Sequence, residues 1–435
     1  MMVGAVYPAK AMKKSKIGGR YMKVCVLGLG YIGLPNALLL ASSGHEVVGV
    51  DINKEKIDLL KNGKIPFEEP GLEDLYSKGK KNFHVSNDVI VSDCYIIAVP
   101  TPLDKEMKMA DLNAVKSAAH MISSSIKDGD LVILESTVPP GTSKNFIIPI
   151  LRRSKAVEFH YSHCPERAIP GKTLFEMQNN DRIIGGLNLR SIERTVGLYS
   201  SFVKGQMYTT DVTTAEFIKL MENTFRDINI ALANEFALIS EEIGIDVWEA
   251  IDLANKHPRV NILKPGPGVG GHCIAIDPWF MVEKSSRSKI VTLAREINDF
   301  MPIQVVKIVK EMLSGSVQPR WINPKITILG FAYKANVDDS RESPAFKIKR
   351  IAESEGMEVS LYDPYIPQEG VTLQNAIEDA DCLVLVTDHD EFKEIDPRAL
   401  MVRHKNLLDT RNSLDHRRWE EAGFCVRVLG NGRNV

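Results

Sequence analysis

The residue in this chain best placed for covalent chemistry is a cysteine framed by glycines. The stretch GPGVGGHCIAIDP, residues 266–278, sets Cys273 just after Gly270 and Gly271 and ahead of Asp277 and Pro278. Paired glycines let backbone come close to a ligand. Asp-Pro reads as the start of a helix, and a thiol just upstream of one ionises more easily into a nucleophile. Free cysteine is more often a small buried hydrophobe, but a core strand would not need this frame. A second group lies upstream, where Lys219, Asn223 and Arg226 fall at i, i+4 and i+7 among Phe217, Ile218, Leu220 and Met221. They share one helical face. A lysine desolvated there can serve as a general base or steady an oxyanion; a solvated stripe is the alternative, and the helix alone leaves both open.

A third group suits a dinucleotide. GLGYIG places Gly28, Gly30 and Gly33 between the apolar run KVCVL and the helical LPNALLLASSG. The first glycine permits the turn, the second lets backbone approach pyrophosphate, and the third lets helix pack on strand. Asp51 closes the next apolar run about twenty residues on, where it can accept hydrogen bonds from an adenosine ribose; it favours NAD over NADP. Thr101 in VPTP and Thr137 in ESTVPPGT end further apolar runs at the edge where open sheets bind ligands. They are candidates for the nicotinamide side, with ordinary strand-ending turns the other reading.

The elements that must position these groups follow from pattern. A chain of 435 residues exceeds a single core, so two or three domains are expected. With 44% hydrophobic residues, 25% charged residues and a net charge of −2, it has no field suited to nucleic acid or anionic lipid. Its six cysteines show no C-x-x-C pair, which fits a reducing cytoplasm and excludes a zinc knuckle. Residues 1–21 are expected to be a disordered leader, with Met22 as a functional start, and no stretch is apolar enough to span a membrane. Residues 22–210 alternate apolar runs with amphipathic stretches, the pattern of a parallel α/β sheet. Residues 211–313 open on a helical pattern more than thirty residues long, able to bridge domains and to support a dimer. After a linker at 314–324 the α/β rhythm restarts over 325–435. The expected fold is α/β: two Rossmann-like open parallel-sheet domains joined by a long central helix.

At this point the chain resembles the UDP-glucose/GDP-mannose dehydrogenase family over almost its whole length from Met22. GLGYIG, AVPTP, STVPPGT, CPERAIPG, NDRIIGG, Lys219 with Asn223, GPGVGGHC and GFAYKANVDDSRESPA carry the resemblance. CPERAIPG and GGHCIAIDPWF are most similar to the branch acting on UDP-N-acetylmannosamine, with the UDP-N-acetylglucosamine branch close behind. Ile276 stands where the UDP-glucose enzymes carry lysine, and Pro170 where they carry a second glutamate, so glucose specificity and their proton relay do not transfer.

The resemblance implies four-electron oxidation of a UDP-sugar C6 alcohol to a carboxylate with two NAD. Cys273 is the implied nucleophile, Lys219 the base, and Asn223 and Asp277 orient water or alkoxide, with Glu166 in acid–base support. Arg167, Ala168, Arg226, His257, Arg259, Gly270, Tyr333 and Lys334 are implied sugar-nucleotide contacts, together with Lys219 and Asn223. Tyr31, Ile32, Lys56 and Arg341 join the NAD contacts, Arg341 at a phosphate. A homodimer or homotetramer is implied, with one arginine reaching across subunits. A two-electron hydroxyacid dehydrogenase and a non-catalytic NAD or nucleotide sensor are the competing readings; both leave Cys273 without a role.

Overall fold

The computed structural model describes residues 6–7, 21–154, 158–314 and 323–434. Two compact units divide it: 1–222 with 279–286, and 223–278 with 287–435. The first is built on β1 (Val6–Tyr7), β2 (Lys23–Leu27), β3 (Glu46–Val50), β4 (Phe83–Ser86), β5 (Cys94–Ile97), the short pair β6 (Leu103–Asp104) and β7 (Met109–Ala110), β8 (Leu131–Leu134), β9 (His160–His163), β10 (Arg182–Gly186) and β11 (Met207–Asp211). Its large sheet runs β1-β11-β10-β9-β8-β5-β2-β3-β4. From β4 across to β9 this is the doubly wound order, and it reverses between β2 and β5. The runs read as apolar without alternation because the sheet is covered on both faces. Val24, Val26, Ile96 and Ile133 enter one core and Cys25, Leu27, Ile97 and Leu134 the other.

Two pairings depart from the expected all-parallel sheet: β9 with β10, and β1 with β11, are antiparallel. Within the stretch expected as a disordered leader, Val6 and Tyr7 thus pair with Tyr208 and Met207. The rest of that leader, apart from Tyr21, and residues 315–322 of the expected linker, lie outside the described residues.

The second unit carries β12 (Lys325–Leu329), β13 (Glu358–Tyr362), β14 (Cys382–Leu385), β15 (Asn406–Asp409) and β16 (Cys425–Val428) in one sheet, ordered β13-β12-β14-β15-β16. All its pairings are parallel. Ile326, Ile328 and Val384 face one core, Leu329, Leu383 and Leu385 the other.

The long helix spans Val212–Ile243 and stops at Gly244, whose φ of 76° suits glycine after a helix end. The chain passes within it from the first unit to the second, so Lys219 belongs to one and Asn223 to the other. The stretch expected as a central segment, 211–313, is shared between the two units.

Candidate active site

In the first unit the glycine turn has the geometry its spacing implies. Gly28, at φ 94°, donates its N–H to Val50 O at 2.8 Å, and a Cβ there would stand 2.6 Å from Ala98 O. A Cβ on Gly33 would strike Gly28 O, whereas one on Gly30 would meet nothing within 4 Å. The open face at Gly30 lies beside the helix Gly33–Ser42, where backbone N–H groups favour a phosphate. Asp51 Oδ2 accepts from the Leu29 N–H at 2.9 Å and from Lys56 Nζ at 2.8 Å; Oδ1 accepts from the Asn53 N–H at 2.9 Å. Burial alone would raise the Asp51 pKa, but Lys56 and the two N–H donors hold it below the usual carboxylate value. Tyr31 packs on Phe67 with ring centroids 4.3 Å apart. Among the described residues Thr101 Oγ1 is buried with no hydrogen-bond partner, an orphan of the kind a ligand satisfies. Thr137, half-buried, follows Ser136, whose hydroxyl donates to Val99 O at 2.7 Å and ties the two strand ends together. These residues fit a dinucleotide.

Glu166 lies on the turn after β9. Its Oε1 accepts the N–H groups of Arg167 (2.7 Å) and Ala168 (3.0 Å), and its Oε2 accepts from Arg182 at 2.8 Å. These three donors tie it to the turn. Arg167 in turn forks onto Glu222, at 3.1 and 2.7 Å, and donates to Asp181 O at 2.9 Å.

Pattern reasoning missed what lies behind this turn. Glu135, whose Oε1 accepts from Asn36 Nδ2 at 2.6 Å and from the Tyr199 hydroxyl, is pushed up to about 7 by burial, against the pull of Arg182. Glu216, fully buried, accepts the N–H groups of Gly141 and Ser143 at 2.6 and 2.7 Å and so pins the STVPPGT loop to the long helix. Both were visible only as acids in apolar company, Glu135 ending VILE and Glu216 three residues before Lys219. Lys219 itself is 9% exposed, and among the described residues none forms a hydrogen bond or ion pair with it.

In the second unit Cys273 is exposed, on a turn leading into the helix Asp277–Val282. Its carbonyl accepts the N–H groups of Ile276 (3.1 Å) and Asp277 (2.8 Å). The buried Asp277 carboxylate accepts from Asn223 Nδ2 at 2.5 Å, so two residues read from separate motifs meet. Gly271 donates its N–H to Arg341 O at 3.1 Å. A Cβ on Gly270 would stand 2.8 Å from Glu342 O, and one on Gly271 2.9 Å from the Tyr333 ring. Burial raises the Tyr333 phenol; Asp339 and Cys273 push it further, while Arg341 and Arg226 draw it back. Arg341 forks onto Asp339, with Nε 2.8 Å from Oδ1 and Nη2 2.5 Å from Oδ2, yet its side chain remains 44% exposed. Arg226, His257, Arg259 and Lys334 are exposed. The expected residues therefore form two sets, one within each unit.

Comparison with known proteins matches three family models: the NAD binding domain of the UDP-glucose/GDP-mannose dehydrogenase family over residues 22–203, its central domain over 213–300 and its UDP binding domain over 327–416. The chain is 49% identical over 424 residues to a UDP-N-acetyl-D-mannosamine dehydrogenase of Methanococcus maripaludis, covering 94% of this chain and 97% of the relative. Among solved structures, the UDP-D-ManNAc dehydrogenase of Pyrococcus horikoshii superposes with a TM-score of 0.88 at 40% identity, over 95% of this chain and all of that one. The UDP-N-acetyl-mannosamine dehydrogenase of S. aureus gives 0.86 at 41% identity, over 95% and 99%.

Proposed function

The chain belongs to the UDP-glucose/GDP-mannose dehydrogenase family, and we propose that it oxidises UDP-N-acetyl-D-mannosamine at C6 to the uronate with NAD as acceptor. One observation carries this reading: an exposed cysteine on a glycine-framed turn, followed four residues on by a carboxylate hydrogen-bonded to an amide of the long helix. We assign 22–210 to NAD, 211–313 to the catalytic lysine and thiol, and 325–435 to the UDP moiety.

NAD, when bound, takes up the hydride at each of two oxidations; Gly28, Gly30, Tyr31, Ile32, Gly33, Asp51, Lys56, Thr101 and Thr137 would hold it, with Arg341 at a phosphate. Lys219, which has no carboxylate partner among the described residues, receives the C6 hydroxyl proton as the aldehyde forms. The Cys273 thiolate adds to the aldehyde carbon, and the oxygen takes a proton to give a thiohemiacetal. Loss of a second hydride and that proton leaves a thioester. Water, oriented by Asn223 and Asp277, attacks its carbonyl, and the C–S bond breaks to return thiolate and release carboxylate. Glu166 acts by holding the Arg167–Ala168 turn. Arg226, His257, Arg259, Gly270, Tyr333 and Lys334 surround the nucleotide sugar, where guanidinium suits a diphosphate.

A second copy is the proposed partner. Phe217, Met221, Phe225, Leu232, Ile239 and Ile243 are 39–67% exposed along the long helix, an apolar stripe of the kind that marks an interface. Phe225→Asp should shift the protein to monomer in sedimentation; an unchanged assembly would refute that face. We place the enzyme in the cytoplasm, a reading supported by six cysteines of which none is in a disulfide among the described residues. Among the described residues no helix is long and apolar enough to cross a membrane.

The test is NADH released per UDP-sugar consumed, with UDP-N-acetylmannosamine, UDP-N-acetylglucosamine and UDP-glucose in parallel. Two NADH with the mannosamine sugar preferred supports the proposal; preference for another sugar overturns the substrate. Cys273→Ala releasing two NADH would overturn the thioester route.

A further inference from the structure

Behind the cysteine turn, the second unit holds a directed chain of side-chain amides. The Gly266 N–H, at the start of the turn, donates to Asn234 Oδ1 at 2.8 Å, and Asn234 Nδ2 donates to Asn298 Oδ1 at 2.9 Å. Asn298 Nδ2 donates to Asp227 Oδ1 at 2.8 Å and to the Asp227 carbonyl at 3.0 Å. Arg295 clamps Asp227 at 2.6 Å and reaches Asp299 at 3.0 Å, which also takes Lys347 at 2.5 Å. Asp227, Asn234, Arg295 and Asn298 are at most 1% exposed. Every amide donates toward the carboxylate, so Asp227 fixes the orientation of both asparagines and leaves an acceptor facing Gly266.

The turn has little slack beyond that point. A Cβ on Gly268, at φ 127°, would stand 3.3 Å from Asn298 O and 3.4 Å from Pro302. Gly270 and Gly271 lie against Ser343 and Tyr333, and Cys273 follows two residues later. A displacement at Gly266 therefore reaches the thiol instead of being absorbed.

We propose that Asn234 and Asn298 are positioning residues for Cys273, setting through the Gly266 N–H where the thiol stands in the second oxidation. The inference rests on Cys273 being the nucleophile.

Asn234→Asp tests it, because the substitution keeps the shape and reverses one bond. Ionised, the new carboxylate sets oxygen against Asn298 Oδ1; protonated, its hydroxyl donates where the amide did. The charged groups around it are Asp227, Arg295, Asp299 and Lys347 through Asn298, and Arg411, which packs on Gly266 and pairs with Asp388 at 3.2 Å. Burial places such a carboxyl above its usual range. Two readouts are taken relative to wild type at the same pH: iodoacetamide alkylation of Cys273 without substrates, and NADH released per UDP-N-acetylmannosamine consumed. At about pH 8 the alkylation rate should change about fivefold and NADH should fall from two toward one as aldehyde escapes; at about pH 6 both should return toward wild type. A folded variant matching wild type throughout, or a deficit indifferent to pH, overturns the proposal. Asn234→Ser, uncharged and too short to bridge Gly266 and Asn298, should show the deficit at both pH values; wild-type behaviour there also overturns it. Because alkylation needs no turnover, it separates this proposal from the nucleophile assignment, which Cys273→Ala tests alone.

Discussion

Asp51 follows β3, which pairs with β2, and Asp363 follows β13, which pairs with β12, and the backbone around them is nearly the same. Gly28 donates to Val50 O at 2.8 Å and Gly330 to Tyr362 O at 2.7 Å, with φ of 94° and 83°. A Cβ on Gly28 would stand 2.6 Å from Ala98 O, and one on Gly330 2.6 Å from Thr387. From the turn after the glycine Asp51 accepts one N–H, that of Leu29, and Asp363 two, those of Phe331 and Ala332 at 2.7 Å; each carboxylate takes one more from the residue two positions on, Asn53 and Tyr365, at 2.9 Å. The difference lies in what comes next. At Gly30 the first turn is open, whereas Ala332 is fully buried and its carbonyl accepts from Thr387 at 2.6 Å. His389 fills the second crevice: its Nδ1 accepts the Asn336 N–H at 2.9 Å, so its Nε2 donates to Asp363 at 3.0 Å, under a Tyr365 ring 4.8 Å away. The same local pairing of strand, glycine turn and carboxylate thus leaves an open turn in one sheet and a sealed carboxylate in the other.

The largest effect should come from closing the open turn. A Cβ at Gly30 would meet nothing within 4 Å, so Gly30→Val should leave the fold intact while NAD loses its approach; the KM for NAD should rise about a hundredfold with little change in Tm. Ala332→Gly should gain no affinity for NAD and cost about 1 kcal/mol. Retained NAD affinity in Gly30→Val would break the comparison.

Buried carboxylates of the two units should respond to pH in opposite senses. Burial pushes Glu135 up to about 7, against Arg182, so the folded state holds a proton that the unfolded chain loses, and stability falls as pH rises from about 4.5 to about 7. For Asp363 burial is outweighed by His389 and the backbone donors, its pKa is lowered, and its contribution, present above about pH 4, is lost as pH falls through the folded value. Glu135→Gln should therefore be more stable than wild type by about 2 kcal/mol at about pH 8 and nearly equal to it at about pH 5. Asp363→Asn should be less stable at neutral pH, by about 2 kcal/mol, with the gap shrinking in acid. Thermal melts of both variants across that range decide it, and parallel slopes would refute the contrast.

This asymmetry marks how far the sequence could be read. GLGYIG announced its turn because three glycines and an acid at fixed spacing have one common physical use. In the second sheet Gly330 and Asp363 stand in the same relation, but Ala332 breaks the pattern and YKANVDDSRES separates strand from helix, so nothing local signalled the parallel. Cys273, Lys219, Asn223 and Asp277 were legible as reactive types in unusual company. The partners that hold them were not: Asn234 and Asn298 lie 64 residues apart, and their contact depends on how two helices pack. Glu166 was legible as an acid, but its hydrogen bond from Arg182, sixteen residues on, was not.

The smallest expected effect concerns how Asp51 is held. Lys56 meets it at 2.8 Å, with side chains 24% and 10% exposed, and such a pair contributes about 0–1 kcal/mol. The Leu29 and Asn53 N–H groups are built into the turn itself and remain if the lysine goes. Lys56→Met should raise the KM for NAD no more than about threefold, whereas Asp51→Ala, which removes the proposed ribose acceptor, should raise it about tenfold or more. Equal losses in the two variants would mean that the lysine, not the backbone, sets the carboxylate. Asp51 would then depend on a side-chain partner as Asp363 depends on His389.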